Sequence, residues 1–275
     1  MNGPDRYAVI GHPVQHSRSP FIHARFAAQC GHALTYATID ATPGQFESVA
    51  RGFFADGGKG LNVTLPHKEA AARLADTLTP RAGLAGAVNV LAVRNDGSLL
   101  GDNTDGSGLV SDLVRNHGIV LAGARILLLG AGGAARGIIA PLLEHNPAEL
   151  VIVNRRRDRA RELSARFAKL GVLHAMGYDE LQADAFDLVI NATASSLTGE
   201  LPPLPPGIVD SHSICYDLAY ARDATAFTRW AEQRGCDRAY MGLGMLVEQA
   251  AECFLLWRGV RPDTSAVLSE LALQK

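Results

Sequence analysis

The chain has 275 residues, 47% of them apolar and 20% charged, with a formal net charge of −2. That leaves room for two domains of ordinary globular composition, and the charge balance argues against a dedicated nucleic-acid binder. The first residues, Met1-Asn2-Gly3-Pro4-Asp5-Arg6, lack the basic-then-apolar pattern of a signal peptide, and no apolar run is long enough to cross a bilayer. The four cysteines, Cys30, Cys215, Cys236 and Cys253, are widely spaced and make no metal or redox motif. Reduced thiols in a cytoplasmic protein, with no metal and no membrane partner, are the expectation.

In chain order, the pattern predicts a strand at 7–10, a polar loop, and a helix over 20–29 with Ser19 as N-cap and Pro20 at its first position. An alternating strand follows at 34–39, a helix at 43–54, a strand at 60–64 and a helix at 68–75. Strand segments at 88–93 and 99–100 flank the turn Asn95-Asp96-Gly97-Ser98. A helix at 106–117 precedes strand 126–129, helix 134–143, strand 150–153, helix 157–167, strand 187–190 and a strand end at 213–217. Helices at 225–234 and 244–257 close the pattern, the second with Leu246, Ala250, Phe254 and Trp257 at helical spacing. Strands alternating with helices predict an α/β layer structure.

The run Ile126-Leu127-Leu128-Leu129-Gly130-Ala131-Gly132-Gly133-Ala134-Ala135-Arg136-Gly137 is a strand, a glycine turn and a helix start. Gly130, Gly132 and Ala135 take the three positions of a dinucleotide fingerprint, and Gly133 adds freedom at the turn. The amides around Gly132, Gly133 and Ala134 would face a pyrophosphate, favoured by the helix dipole. Alone, the motif is also compatible with a glycine-rich turn that binds nothing. The second strand ends about 22 residues after Gly132, where an acidic residue commonly binds a free 2′-hydroxyl. Here stand Asn154-Arg155-Arg156-Arg157-Asp158-Arg159, which suit a 2′-phosphate and hence NADP, although an arginine-rich solvated helix start reads similarly. Arg157 and Arg161 are expected to face solvent.

Polar clusters precede this unit: Ser17 with Ser19; Asn62, Thr64, His67 and Lys68; Asn89; and Asp102-Asn103-Thr104-Asp105. There are only four lysines against 22 arginines, so a lysine kept in a polar motif stands out. Lys68 and Asp105 could face one ligand if the sheet brings their strand ends together. A surface lysine and a simple helix cap remain open alternatives at this level. His67 is expected to point away from Lys68, and His12 and His16 to structure their loop.

Taken in order, the motifs are far more specific than any one of them. They are Gly11-His12-Pro13 through His16-Ser17-Arg18-Ser19-Pro20; Asn62-Val63-Thr64-Leu65-Pro66-His67-Lys68; Gly86-Ala87-Val88-Asn89; Gly101-Asp102-Asn103-Thr104-Asp105-Gly106; the glycine unit; Asn154-Arg155; Asn191-Ala192-Thr193; Tyr216-Asp217-Leu218-Ala219-Tyr220; and Gly242-Leu243-Gly244-Met245-Leu246-Val247-Glu248-Gln249-Ala250. Over nearly its whole length the chain resembles the NADP-dependent shikimate dehydrogenases. The resemblance implies two α/β domains: a substrate-binding catalytic domain at 1–105, and a Rossmann-type doubly wound parallel sheet at 106–240 that binds NADP. C-terminal helices at 241–275 would return to the first.

It further implies reversible NADPH-dependent reduction of 3-dehydroshikimate to shikimate, in the pathway to chorismate and the aromatic amino acids. Lys68 and Asp105 would be the catalytic pair. Ser17, Ser19 and Tyr220 would bind the carboxylate, and Thr64, Asn89, Asp105 and Gln249 the ring hydroxyls. Gly130, Ala131, Gly132, Gly133, Ala134, Ala135, Asn154, Arg155 and Arg159 would hold the cofactor, with Thr193, Leu218, Gly242 and Met245 on its nicotinamide side. A monomer or homodimer is expected. The competing readings are a quinate/shikimate dehydrogenase with relaxed substrate or cofactor use, and a non-catalytic nucleotide-sensing module. The chain departs from the family pattern at Ala194 and Ser196, where serine and glycine are common, at Leu218 for a usual methionine, and at Arg156 for a threonine.

Overall fold

The computed structural model describes residues 3–193, 195 and 199–273. The chain divides into two compact units, one made of residues up to Gly108 together with those from Leu246 onwards, the other of Leu109–Met245. Both crossings of the chain fall inside helices.

The first unit carries β1 (Asp5–Gly11), α1 (Ser19–Cys30), β2 (Leu34–Asp40), α2 (Phe46–Ala55), β3 (Gly60–Val63), α3 (Lys68–Leu74), β4 (Thr77–Leu78), α4 (Pro80–Ala85), β5 (Val90–Val93) and β6 (Leu99–Asp102). Helix α5 (Asp105–Ser111) leads out of it and continues as a π-helical turn, Asp112–Asn116. The sheet order is β2-β1-β3-β5-β6-β4. Strands β1, β2 and β3 are parallel, and β5 runs antiparallel to both β3 and β6. Ala8, Ile10, Leu61, Val63 and Leu91 from these strands pack with Phe46 and Ala50 of α2 into one buried cluster.

The second unit carries β7 (Arg125–Leu129), α6 (Gly133–Leu143), β8 (Glu149–Val153), α7 (Arg157–Phe167), β9 (Leu173–Met176), β10 (Leu188–Asn191), β11 (Ile214–Asp217), α8 (Ala226–Gln233) and β12 (Arg238–Met241). Helix α9 (Leu243–Arg258) begins here, and α10 (Ser265–Leu273) follows it. All six strands are parallel, in the order β12-β11-β10-β7-β8-β9. The run 126–129 is fully buried, as a central parallel strand covered on both faces must be. Winding outward in both directions from β7 makes this a doubly wound Rossmann sheet, with its switch point between β7 and β10. Ligands of such sheets bind beyond the strands' C-terminal ends at that point.

Several elements differ from the sequence expectations. Helix α1 starts at Ser19 itself, and Arg18 takes the cap position without capping the helix through its side chain. The hydroxyl that serves this turn is that of Ser17, whose Oγ accepts from the Ser19 N–H at 3.2 Å. The second helix begins at Phe46, because Thr42 and Gln45 form a turn before it. Strands β4, β9 and β12 and helices α4 and α10 had no clear periodic signal. Helix α4 did have a cap signature, Thr79 before Pro80, and Thr79 Oγ1 accepts from the Ala82 N–H. No helix among the described residues is long and apolar enough to cross a membrane.

Candidate active site

In the first unit, Lys68 opens α3 just after β3, and Asp105 opens α5 just after β6. Strand β5 lies between β3 and β6 and runs antiparallel to both, so the C-terminal ends of β3 and β6 share one sheet edge and bring the pair together. Lys68 Nζ donates to Asp105 Oδ2 at 2.5 Å, with side chains 12% and 6% exposed. Asp105 Oδ1 is 2.9 Å from Asn89 Nδ2, so both carboxylate oxygens are engaged. The same amide lies 2.9 Å from Thr104 Oγ1 and 3.2 Å from Gln249 Oε1, while Asn89 Oδ1 accepts from the Thr104 N–H at 2.8 Å. Lys68, Asp105, Asn89 and Gln249 thus form one cluster, drawn from residues as far apart in sequence as 68 and 249.

The hydrogen bonds continue through residues that sequence reasoning left without a role. Thr104 Oγ1 and Cys253 Sγ are 3.2 Å apart, and Asn62 Nδ2 donates to that sulfur at 3.0 Å. Tyr36 OH donates to Asn62 Oδ1 at 2.7 Å and is also bonded to the side chain of Ser19. An unbroken polar chain therefore links the start of α1 to the Lys68–Asp105 pair. Burial pushes the Cys253 thiol up to about 12, so it serves there as a neutral group. Thr64 is half-buried beside α3, its N–H bonded to Ile10 O at 3.0 Å. His67 turns inward, as expected, with its Nε2 2.7 Å from Ala41 O and its ring stacked on Phe46. His12 Nδ1 lies 2.6 Å from Asp40 Oδ1, and Gln15 Nε2 donates to Oδ2 of the same carboxylate, which tethers the loop before Ser17 to the end of β2.

The second unit holds the glycine turn at the switch point. Gly130 has φ +105°, and a Cβ there would meet Ala192 O at 3.1 Å, so glycine is required by conformation and by space. Helix α6 opens with Gly132 in the cap position and no side-chain cap, leaving its first amides for a ligand. Ala135 is fully buried, as close packing of helix on sheet demands at the third fingerprint position. A cavity of about 540 Å³ runs from Gly130, Ala131 and Gly132 to Asn154, Arg155, Arg156 and Arg159, with Tyr178, Thr193 and Pro202 on its other walls. Asn154 Nδ2 donates to Arg156 O at 2.9 Å, and Thr193 Oγ1 to Asn191 Oδ1 at 2.7 Å. Arg157 is drawn aside by Glu180 at 2.6 Å, remaining half-exposed. An uncapped helix start and three guanidinium groups around one cavity fit a phosphorylated dinucleotide. Leu218 follows β11, and Gly242 and Met245 flank the start of α9 in the same unit. Tyr220 also belongs to this unit, half-buried two residues beyond Leu218.

Three family models match the chain in succession: a shikimate dehydrogenase substrate binding domain at 9–91, shikimate/quinate 5-dehydrogenase at 112–199, and a shikimate 5′-dehydrogenase C-terminal domain at 242–271. A curated shikimate dehydrogenase (NADP(+)) of Aeromonas salmonicida is 55% identical over 267 residues, covering 97% of each chain. The chain belongs to the shikimate dehydrogenase family. The shikimate dehydrogenase (NADP(+)) of Methylococcus capsulatus is 54% identical over 100% of this chain and 99% of its own. A crystal structure of shikimate 5-dehydrogenase from Thermus thermophilus, in complex with NADP(H) and shikimate, superposes with a TM-score of 0.86 at 33% identity, over 98% of this chain and 100% of the other.

Of this family member's departures, Ala194 and Ser196 lie outside the described residues. Leu218 is described, and its N–H bonds Asn191 O at 2.9 Å. Arg156 lines the nucleotide cavity from the N-cap position of α7. Among the described residues no cluster of His, Cys, Asp and Glu could hold a metal.

Proposed function

We propose that the chain catalyses the reversible NADPH-dependent reduction of 3-dehydroshikimate to shikimate. The observation that carries this reading is the buried Lys68–Asp105 ion pair, both of whose members stand at the matching motif positions. When bound, NADPH supplies the hydride. The chain's own residues then handle charge, protons and orientation. As hydride reaches the ketone carbon, negative charge grows on the oxygen, and the Lys68 ammonium both stabilises it and donates the proton that completes the alcohol. In the reverse direction Lys68 takes that proton back. Asp105 holds the Lys68 amine in place and offers an acceptor to a neighbouring ring hydroxyl. Asn89, Gln249 and Thr64 present amides and a hydroxyl to the remaining ring hydroxyls. Ser17, Ser19 and Tyr220 offer their hydroxyls to the carboxylate.

For the cofactor, the Gly130–Gly133 turn and the amides opening α6 take the pyrophosphate. Arg155 and Arg159 take the 2′-phosphate, and Asn154 braces the loop between them. Thr193, Leu218, Gly242 and Met245 border the nicotinamide side. The test is a set of initial rates with shikimate and with quinate, each against NADP and NAD. Oxidation of shikimate with NADP well above the other three combinations is expected, and absence of shikimate oxidation with either cofactor overturns the reading.

A further inference from the structure

Asp112 is a buried carboxylate, 1% exposed, that the mechanism above leaves unused. It begins the π-helical turn after α5 and accepts from Tyr216 OH at 2.6 Å and from Asn116 Nδ2 at 2.7 Å, with His117 Nε2 at 3.6 Å. Burial pushes its carboxyl up, but the hydrogen bonds from His117, Tyr216 and Asn116 outweigh this and hold it below the ordinary value. Burial and the adjacent Asp112 charge together push the Tyr216 hydroxyl well above its ordinary value, so it remains a donor.

That fixed hydroxyl has a second partner: the Met245 N–H donates to it at 3.3 Å. The first turn of α9 is thereby seated on the Tyr216–Asp112 pair. Gly244 shows how closely, since a Cβ there would lie 2.0 Å from Asp112 Oδ1. A carboxylate against a helix N-terminus is also favoured by the helix dipole. The other side of the same segment is clasped by the loop after β11. Gly242 N–H donates to Ala219 O at 3.0 Å, and a Cβ on Gly242 would lie 2.3 Å from Leu218 O. This loop is itself fixed by Asp217, which points away from Tyr216 and accepts from Asn191, from the Ala219 N–H and from Thr225. Leu218, Gly242 and Met245 are therefore held in mutual register from two sides.

We infer that Tyr216 and Asp112 are a positioning pair for the nicotinamide half of the cofactor site. The inference rests on the cofactor reading given above. The pair touches neither substrate nor cofactor and acts through the backbone at 242–245. The adenosine half lies at the end of β8, three strands from β11 in the sheet order, or roughly 14 Å at the usual strand spacing. Loss of the pair should therefore weaken one half of the nucleotide and spare the other.

The test compares two probes on the full chain, NADPH and adenosine 2′,5′-bisphosphate, which keeps the 2′-phosphate but has no nicotinamide. In Tyr216→Phe the dissociation constant for NADPH should rise about tenfold, the value for one lost hydrogen bond to a charged group. The bisphosphate constant should stay within about twofold, and the shikimate KM should not move. Asp112→Asn keeps the size and an acceptor for Tyr216, and should show the same one-sided loss in smaller measure even if Tyr216→Phe folds poorly. Equal weakening of both probes, or of neither, in a folded variant overturns the inference. Wild-type protein that bound neither probe would overturn the cofactor reading, and the inference with it.

Discussion

Replacing Lys68 separates two tasks, that of ion-pair partner in the structure and that of general acid in the proposed reaction. Lys68→Ala removes a general acid, an effect of about 10²–10⁴ in turnover, or roughly 3–5 kcal/mol of barrier at 1.36 kcal/mol per tenfold. It also leaves Asp105, 6% exposed, without its cation. Breaking a buried pair in this way costs about 3–5 kcal/mol. The Asn89 amide on Oδ1 and the start of α5 still offset part of the orphaned charge, which places the loss near the lower end. At about 2–4 °C per kcal/mol for a domain of this size, the melting temperature should fall by roughly 6–12 °C.

The informative companion is Lys68→Arg, which restores a cation but not an ammonium that can hand its proton to a developing alkoxide. Steady-state oxidation of shikimate, calorimetric titration with shikimate and thermal melts would be run on all three proteins. Lys68→Ala should lose turnover by the stated factor while shikimate binding weakens less than about tenfold, since the proposal gives hydroxyl and carboxylate recognition to other side chains. Lys68→Arg should regain most of the lost melting temperature and little of the turnover. Turnover within tenfold of wild type in Lys68→Ala, or restored by arginine, refutes the acid/base role.

Arg155→Asp should raise the NADP KM by about 10²-fold or more, the scale of two charge-assisted bonds to a phosphate, and change the NAD KM by less than about threefold. Equal losses would dismiss the 2′-phosphate clamp. Arg81 binds Asp102 with two nitrogens, at 2.7 and 2.5 Å, and Thr79 adds a hydroxyl. Burial pushes the Asp102 carboxyl up, but those bonds bring it below its ordinary value. A depressed carboxyl contributes stability above its unfolded pKa of about 4 and loses it as the pH falls through the folded value. Arg81→Ala should therefore cost about 2–4 kcal/mol at pH 7, discounted because Arg81 is 38% exposed. In urea melts that gap should narrow as the pH is taken from 5 towards 3, and a gap independent of pH would exclude the linkage. The two fingerprint glycines should fail differently. Gly130→Ala meets Ala192 O at φ +105° and should lower the melting temperature. Gly132→Ala has open space and should fold normally while weakening NADPH; unimpaired NADPH binding by a folded Gly132→Ala would count against backbone approach to the pyrophosphate.

Legibility in the sequence followed the range of the interactions. The runs 126–129 and 150–153 announced themselves because a parallel strand buried on both faces must be apolar throughout. Strands β4, β9 and β12 did not, because each is a short edge strand with a single neighbour, β6, β8 and β11 respectively, and that neighbour supplies its pairing. Helix α10 follows α9 after the loop in which Thr264 and Arg261 bind Glu248, a constraint with no local periodicity.

The two units' candidate sites differ for the same reason. A dinucleotide is held largely by backbone amides and the steric freedom of glycine, so its site is a contiguous stretch whose residue types are dictated one by one. The Lys68–Asp105 cluster is held by side chains that meet only in the fold. Asn62 donates to Cys253 across 191 positions, and Tyr36, which reads as one more residue of an alternating strand, proves to connect Ser19 with Asn62. Nothing in composition or periodicity marks Cys253 as more than a small buried hydrophobe. Its partners make it a neutral link between Asn62 and Thr104, and hence a brace for Asn89 and Asp105. The residues proposed to face the substrate stand in short motifs and so can be read from a family pattern. Those that hold them in place cannot, since each is specified by a distant partner rather than by its neighbours in sequence.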